Sequence, residues 1–135
     1  MTSEDTSALV AYRMQRAEES LEAAKIMHQN GMLGFAMNRI YYAMFYAVQA
    51  ALIFKDVSFS KHGQVKAFMN RDLIKTGIIP LSLGRVYNKA FEYRQKFDYV
   101  DFAEPDQELV EAYLTQGREF IEAMRQYLQD KNFSV

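Results

Sequence analysis

Two arginines stand where a fixed charge is least expected, and their side chains are the ones in this sequence best suited to chemistry. Arg39 sits at the mouth of "NRIYYAMFYAVQAALIF", residues 38–54. From Ile40 onward fourteen of fifteen residues there are apolar or aromatic, so the segment should be buried and the arginine stands at its edge. Arg94 falls between Ala90 and Phe97 on the apolar stripe of a later helical pattern. A buried charge is costly without a partner, so each arginine needs an anion, from the protein or from a ligand. The planar fork of guanidinium donors fits a phosphate. Asp98 follows Arg94 by four residues, shares its helix face and can pair with it. Asn38 adjoins Arg39, and Tyr99 follows Asp98. His62, preceded by Lys61, opens a helix after the hinge "SFSK", where an imidazole can move protons or bind phosphate near neutral pH. Two readings of this polar set stay open. In one, Arg39, Arg94, Asp98, Asn38 and nearby tyrosine hydroxyls form an internal network that only positions helices. In the other, an arginine is held at a cleft and faces a phosphate.

Several chemistries find no support. There are no cysteines, which removes disulfides, thiolate zinc sites and cysteine nucleophiles and fits a reducing, cytoplasmic setting. The six glycines are scattered and form no phosphate-binding loop, and no cofactor motif is present. Neither histidine, His28 nor His62, follows a glutamate by three residues, so a di-metal carboxylate site is not expected. Gly-x-Ser-x-Gly is absent, so a hydrolase triad is not expected either. The N-terminal "MTSEDTSALV" carries acids where a secretion signal would carry basic residues. The apolar run from Ile40 is shorter than the roughly 20 residues of a membrane span. It reads as a buried helix, and no membrane association is expected. The net charge is −1, so bulk charge does not draw polyanions. The local charge is uneven: residues 61–96 hold eight Lys or Arg against two acids, and residues 98–122 hold eight acids against one arginine. Either these are two solvated faces that attract each other, or the basic segment faces phosphate.

The elements that must position these residues are helices. The first, about Asp5 to Asn30, has a seam at Val10, Met14, Ala17, Leu21, Ala24 and His28, in alternating steps of four and three. His28 reads as a C-terminal cation or packing residue. The second, about Met32 to Lys55, is apolar nearly all round, and part of it is expected to face a second subunit. The third, about Lys61 to Thr76, turns Val65, Phe68, Met69 and Leu73 inward. The fourth, about Pro80 to Tyr99, uses Leu83, Val86, Tyr87, Ala90 and Phe97. The fifth opens at "EPDQE", with Pro105 expected at the first helical position. Its inner face is Leu109, Tyr113, Phe120, Met124 and Leu128. No strand alternation appears. The expected architecture is all-α: one domain, residues 1–135, as an up-and-down four-helix bundle with one additional short helix.

"NRIYYAMFYAVQAAL", "SKHGQV", "KTGIIP" and "FEYRQKFDYVDF" together resemble the HEPN domain family, in its small stand-alone prokaryotic subgroup. The resemblance runs from about Gly34 to the end of the fifth helix. It implies a helical bundle that dimerises through long helices and works on RNA or nucleotides. It also implies a metal-independent ribonuclease, paired with a nucleotidyltransferase in toxin–antitoxin fashion. The family motif is an arginine, then four to six intervening residues, then a histidine, the motifs of two subunits facing each other. Arg94 matches the arginine, but the histidine window covers Tyr99, Val100 and Asp101. RNA cleavage wants a group titrating near neutrality. Tyrosine titrates near 10 and aspartate near 3.9, both about three units away. Either serves only if strongly shifted, and His62 substitutes only if the hinge folds back. The resemblance therefore implies Arg94, Asp98, Tyr99 and His62 as catalytic candidates. Arg39, Asn38 and Lys61 are the implied RNA or nucleotide contacts. The alternative is a non-catalytic helical dimerisation module.

Overall fold

The computed structural model describes residues 2–135. The helices are α1 (Ser3–Gln29), α2 (Leu33–Phe54), α3 (His62–Phe68), α4 (Leu81–Tyr99) and α5 (Gln107–Asp130). A π-helical segment, Met69–Ile74, continues α3. Among the described residues there is no strand. The architecture is the expected one, four long helices and one short one. No helix among the described residues is long and apolar enough to cross a membrane.

The helix ends follow local chemistry. α1 begins earlier than expected because the Thr2 hydroxyl accepts from Asp5 N–H at 3.1 Å, while the Asp5 carboxylate accepts from Thr2 N–H at 3.3 Å. It ends where Gly31 takes φ +72° and the Met32 N–H reaches back to the Met27 carbonyl at 2.8 Å. α5 does not begin on Pro105. Asp106 is the cap, its carboxylate accepting from Leu109 N–H at 2.8 Å, and the proline lies buried just before it. The third helix is not continuous α-helix to Thr76. It widens into the π segment, held against α4 by a reciprocal amide pair, Asn88 Nδ2 to Asn70 Oδ1 at 2.9 Å and Asn70 Nδ2 to Asn88 Oδ1 at 3.4 Å.

α2 lies at the centre, packed on α1, α4 and α5. Its side chains are buried over most of its circumference, as its composition requires. Val10, Met14, Ala17, Leu21 and Ala24 from α1 and Phe120, Met124 and Leu128 from α5 close the core. Leu83, Phe97, Leu109 and Tyr113 are only half-buried; α5 turns Val110, Gly117, Ile121 and Tyr127 inward as well. His28 is half-buried, its Nε2 3.4 Å from Glu111 Oε1 on α5.

Candidate functional site

The N-terminal half of α2, the C-terminal half of α4 and the start of α3 meet around two tyrosine rings. α2 supplies both rings, Tyr41 buried and Tyr42 half-buried. Residues 38, 41, 42 and 45 recur at helical spacing on the face of α2 turned to α3 and α4. On α4, Phe91, Arg94 and Asp98 share a face by the same spacing.

Arg94 donates from Nη2 to the Tyr42 hydroxyl at 3.0 Å, and its Nε lies 3.5 Å from Asp98 Oδ2. That second approach is an ion pair without hydrogen-bond alignment, so the buried Nε proton has no acceptor among the described residues. Asp98 therefore balances the charge of Arg94 but does not use up its donors. Asp98 Oδ2 also accepts from Asn38 Nδ2 at 2.8 Å. Asn38 Oδ1 in turn accepts from Arg39 Nε and Nη2 at 3.0 and 2.7 Å. Arg39 has no carboxylate within ion-pair distance among the described residues; its guanidinium lies 4.7 Å from the centre of the Tyr42 ring. Arg94 lies 5.4 Å from the same ring. The two arginines thus converge on one side chain, with a single carboxylate between them, and the cluster carries a surplus positive charge.

His62 joins from the hinge side. Its Nδ1 is 2.7 Å from the Tyr41 hydroxyl, and its ring packs 4.5 Å from Phe45 and 5.8 Å from Tyr42. The hinge, residues 58–61, folds back so that this histidine is half-buried. Burial pushes its pKa below the ordinary value, and the neighbouring Arg94 charge pushes it the same way. His62 is therefore neutral at pH 7. Tyr41 moves oppositely: burial raises its hydroxyl to about 12, against the pull of Tyr87 and Arg94. With Nδ1 engaged by Tyr41, Nε2 is the nitrogen available to a bound substrate.

Tyr99 lies 5.8 Å from the Arg94 guanidinium and is 70% exposed, beside exposed Val100 and Phe102. Lys61 is exposed at the cap of α3, and its side chain takes no part in the cluster. Its backbone N–H donates to Gln64 Oε1 at 3.3 Å. The sequence reading missed Tyr41 as the partner of His62 and Phe91 as part of the floor. Both stand on the right faces, Tyr41 beside Tyr42 and Phe91 three residues before Arg94, so helical spacing would have found them once the site was placed on α2 and α4. Among the described residues, no three His, Asp or Glu side chains gather into a group that could hold a metal ion.

The idea that residues 61–96 and 98–122 neutralise each other finds one ion pair, Arg94 with Asp98. The other pairs are local or go elsewhere: Arg71 to Asp72, Lys89 to Glu92, Glu122 to Arg118 and Arg125, and Glu111 to His28. Lys61, Lys66, Lys75, Arg85 and Lys96 are left without ion-pair partners among the described residues.

A small all-α bundle with an arginine–tyrosine–histidine cluster at the meeting of three helices is the class that fold and site define. The HEPN domain model matches residues 10–127, and the chain belongs to that family. It is 40% identical to a "UPF0332 protein" of Thermotoga maritima, over 90% of this chain and 92% of that one. It is also 36% identical to a protein of Methanocaldococcus jannaschii named "Putative toxin", over 88% of this chain and 81% of that one. A second protein of that organism with the same kind of name is 31% identical over 84% of each chain.

Proposed function

We propose that this cluster binds an RNA phosphodiester and cleaves it by attack of the neighbouring 2′-hydroxyl. The observation that carries the reading is the pairing of a neutral histidine with a guanidinium that retains unused donors, both seated on Tyr41 and Tyr42. In the tautomer where Nδ1–H donates to the Tyr41 oxygen, His62 Nε2 takes the 2′-hydroxyl proton. The 2′-oxygen bonds to phosphorus, and the bond to the 5′-oxygen breaks. Arg94 and Arg39 hold the charge that builds on the phosphoryl oxygens. The leaving oxygen takes a proton from solvent, giving a 2′,3′-cyclic phosphate and a 5′-hydroxyl. Asp98 and Asn38 orient the two arginines, Tyr99 offers an exposed ring to an unpaired base, and Lys61 adds positive charge at the rim. The toxin names of two relatives support a toxin role. Exposed Met32, Phe35, Val100 and Phe102 near the cluster support a protein contact there, a second copy or a nucleotidyltransferase partner.

The test is RNA cleavage in the presence of EDTA, with the product ends identified. Arg94→Ala and His62→Ala should each lower the rate by about 100-fold or more, and Arg94→Ala should also weaken RNA binding. One set of contacts favours a second reading: Tyr42, Asp98, Asn38 and Arg39 tie Arg94 into a nearly closed network. In that reading the protein is a non-catalytic helical module. Arg94→Ala would then cost about 3 kcal/mol of stability, as for a broken buried pair, with RNA affinity unchanged.

A further inference from the structure

The Arg94 cluster is not the end of the arginine–tyrosine surface. Along α2 the Tyr42 ring is followed one turn later by Tyr46, 6.2 Å away centre to centre. The Tyr46 hydroxyl accepts from Arg16 Nη2 on α1 at 3.3 Å, and the Arg16 guanidinium lies 5.2 Å from that ring. Arg13, one turn back on α1, has a buried Nε with no acceptor and lies 6.0 Å from the ring of Tyr12, which is exposed. Ser20 donating to the Arg39 carbonyl at 2.8 Å fixes the antiparallel register of α1 and α2. That register, together with the Arg16–Tyr46 contact, carries Arg13 toward the level of Gln49, whose buried Oε1 is also unpartnered.

None of Arg13, Arg16 and Arg39 has a carboxylate within ion-pair distance among the described residues; Glu19 acts on Arg16 only from farther off. Three cations without a paired carboxylate repel one another, and tyrosine faces and hydroxyls soften that repulsion without neutralising it. A polyanion would neutralise it. The spacing also suits an unpaired strand: rings for bases alternate with guanidinium groups for phosphates, the pattern of single-strand binding grooves. From Arg39 to Gln49 the α2 axis runs about 15 Å at about 1.5 Å per residue. About four bases stacked at about 3.4 Å would cover that length.

We propose that Arg13, Arg16 and Tyr46, together with Arg39 and Tyr42, form a track that carries single-stranded RNA from the cluster across α2 onto α1. This rests on the cluster's reading as an RNA-phosphate site and names the form of RNA it takes. The strand, once bound, lies along α2, and the phosphate to be cleaved reaches Arg94 and His62 at one end of the track.

The experiment compares binding of a labelled ten-residue oligouridylate, a duplex of the same length, and uridine 3′-phosphate, over a range of salt. The proteins are the unaltered chain, Arg16→Gln and Tyr46→Leu. Both variants should weaken oligouridylate binding by at least about fivefold, since a stacked base contributes about 1–3 kcal/mol. For Arg16→Gln the slope of log affinity against log salt should shrink by about 0.7. Uridine 3′-phosphate, which needs only the cluster, should bind all three proteins alike, and the duplex should bind the unaltered chain less well than the single strand. Arg16→Gln alters one half-exposed side chain, so it carries the test if Tyr46→Leu fails to fold. Unchanged oligouridylate binding in Arg16→Gln overturns the track, as does equal affinity for the duplex. Splitting of a dimer by Arg16→Gln in sedimentation, with loss of uridine 3′-phosphate binding, would make this face a protein interface and also overturn it. Oligouridylate binding that is lowered by Arg16→Gln but indifferent to Arg94→Ala would sink the cluster's RNA-phosphate reading and leave the track standing. No binding of either RNA probe by the unaltered chain sinks both.

Discussion

His62 and Tyr41 share one hydrogen bond and are pushed in opposite directions by the same burial. Each therefore makes folding depend on pH at its own end of the scale. His62 has a folded pKa below its ordinary value of 6.5. As pH falls through 6.5, the unfolded chain takes up a proton that the folded chain refuses, so stability is lost on acidification until the folded pKa is passed. Tyr41 has its pKa raised from 10.0 to about 12. Between those values the unfolded chain releases a proton that the folded chain keeps, so stability also falls as pH rises there. Denaturant midpoints at pH 7.5 and 5.5 check the acid side: the unaltered chain should lose more between them than His62→Gln does. His28 is common to both proteins and cancels in the comparison. An equal loss in the two would show that His62 contributes nothing to the acid sensitivity.

The site depends on how α4 meets the π-helical segment. Gly84 is the point of closest approach: a Cβ built there would fall 2.1 Å from Ile74 Cδ1 and 2.7 Å from Cγ1. Alanine is the better helix former by about 1 kcal/mol, but forcing a methyl into a filled space costs about 1–3 kcal/mol. Contact at 2.7 Å reaches the body of the isoleucine and not only its tip, so the clash should win. Gly84→Ala is expected to destabilise by about 1 kcal/mol in chemical denaturation, and adding Ile74→Ala should remove the clash and leave Gly84→Ala neutral or favourable in that background. Strict additivity of the two changes would show that the close approach does not matter. The inward positions of α1 and of the third helix were legible, because an apolar stripe repeats at the helical period. The π widening was not, because it shifts each backbone hydrogen bond by one residue and leaves no mark in composition. The return of the hinge that carries His62 onto Tyr41 was not legible either, because a polar loop does not encode its own direction.

Across the whole bundle, α1 is clasped to α5 by one carboxylate. Arg118 Nη1 lies 2.7 Å from both oxygens of Glu18, Arg125 bonds to the same group, and Glu122 completes the set. These side chains are partly exposed, which limits what the pairs contribute. Glu18→Gln should lower stability by about 1 kcal/mol at low salt, less at 1 M salt where screening is short-ranged, and leave RNA affinity unchanged. An effect that does not shrink with salt would mark it as packing and not charge. The clasp sits apart from the Arg–Tyr surface, so stability and binding should respond to separate sets of substitutions.

The sequence by itself determined the helices, their number, most of their inward faces and the family, because periodicity and local motifs are written residue by residue. It also supplied the arginines, the aspartate and the histidine. Only the tertiary structure decided that Arg39, Arg94, Asp98 and His62 gather on two tyrosine rings while Lys61 stays outside. It alone showed Arg13 and Arg16 to have no carboxylate within ion-pair distance among the described residues. The physical reason is that a charge's partner is set by distance in space between helices far apart in the chain, and burial, which fixes both the cost of the charge and the protonation of the histidine, exists only once those helices have packed.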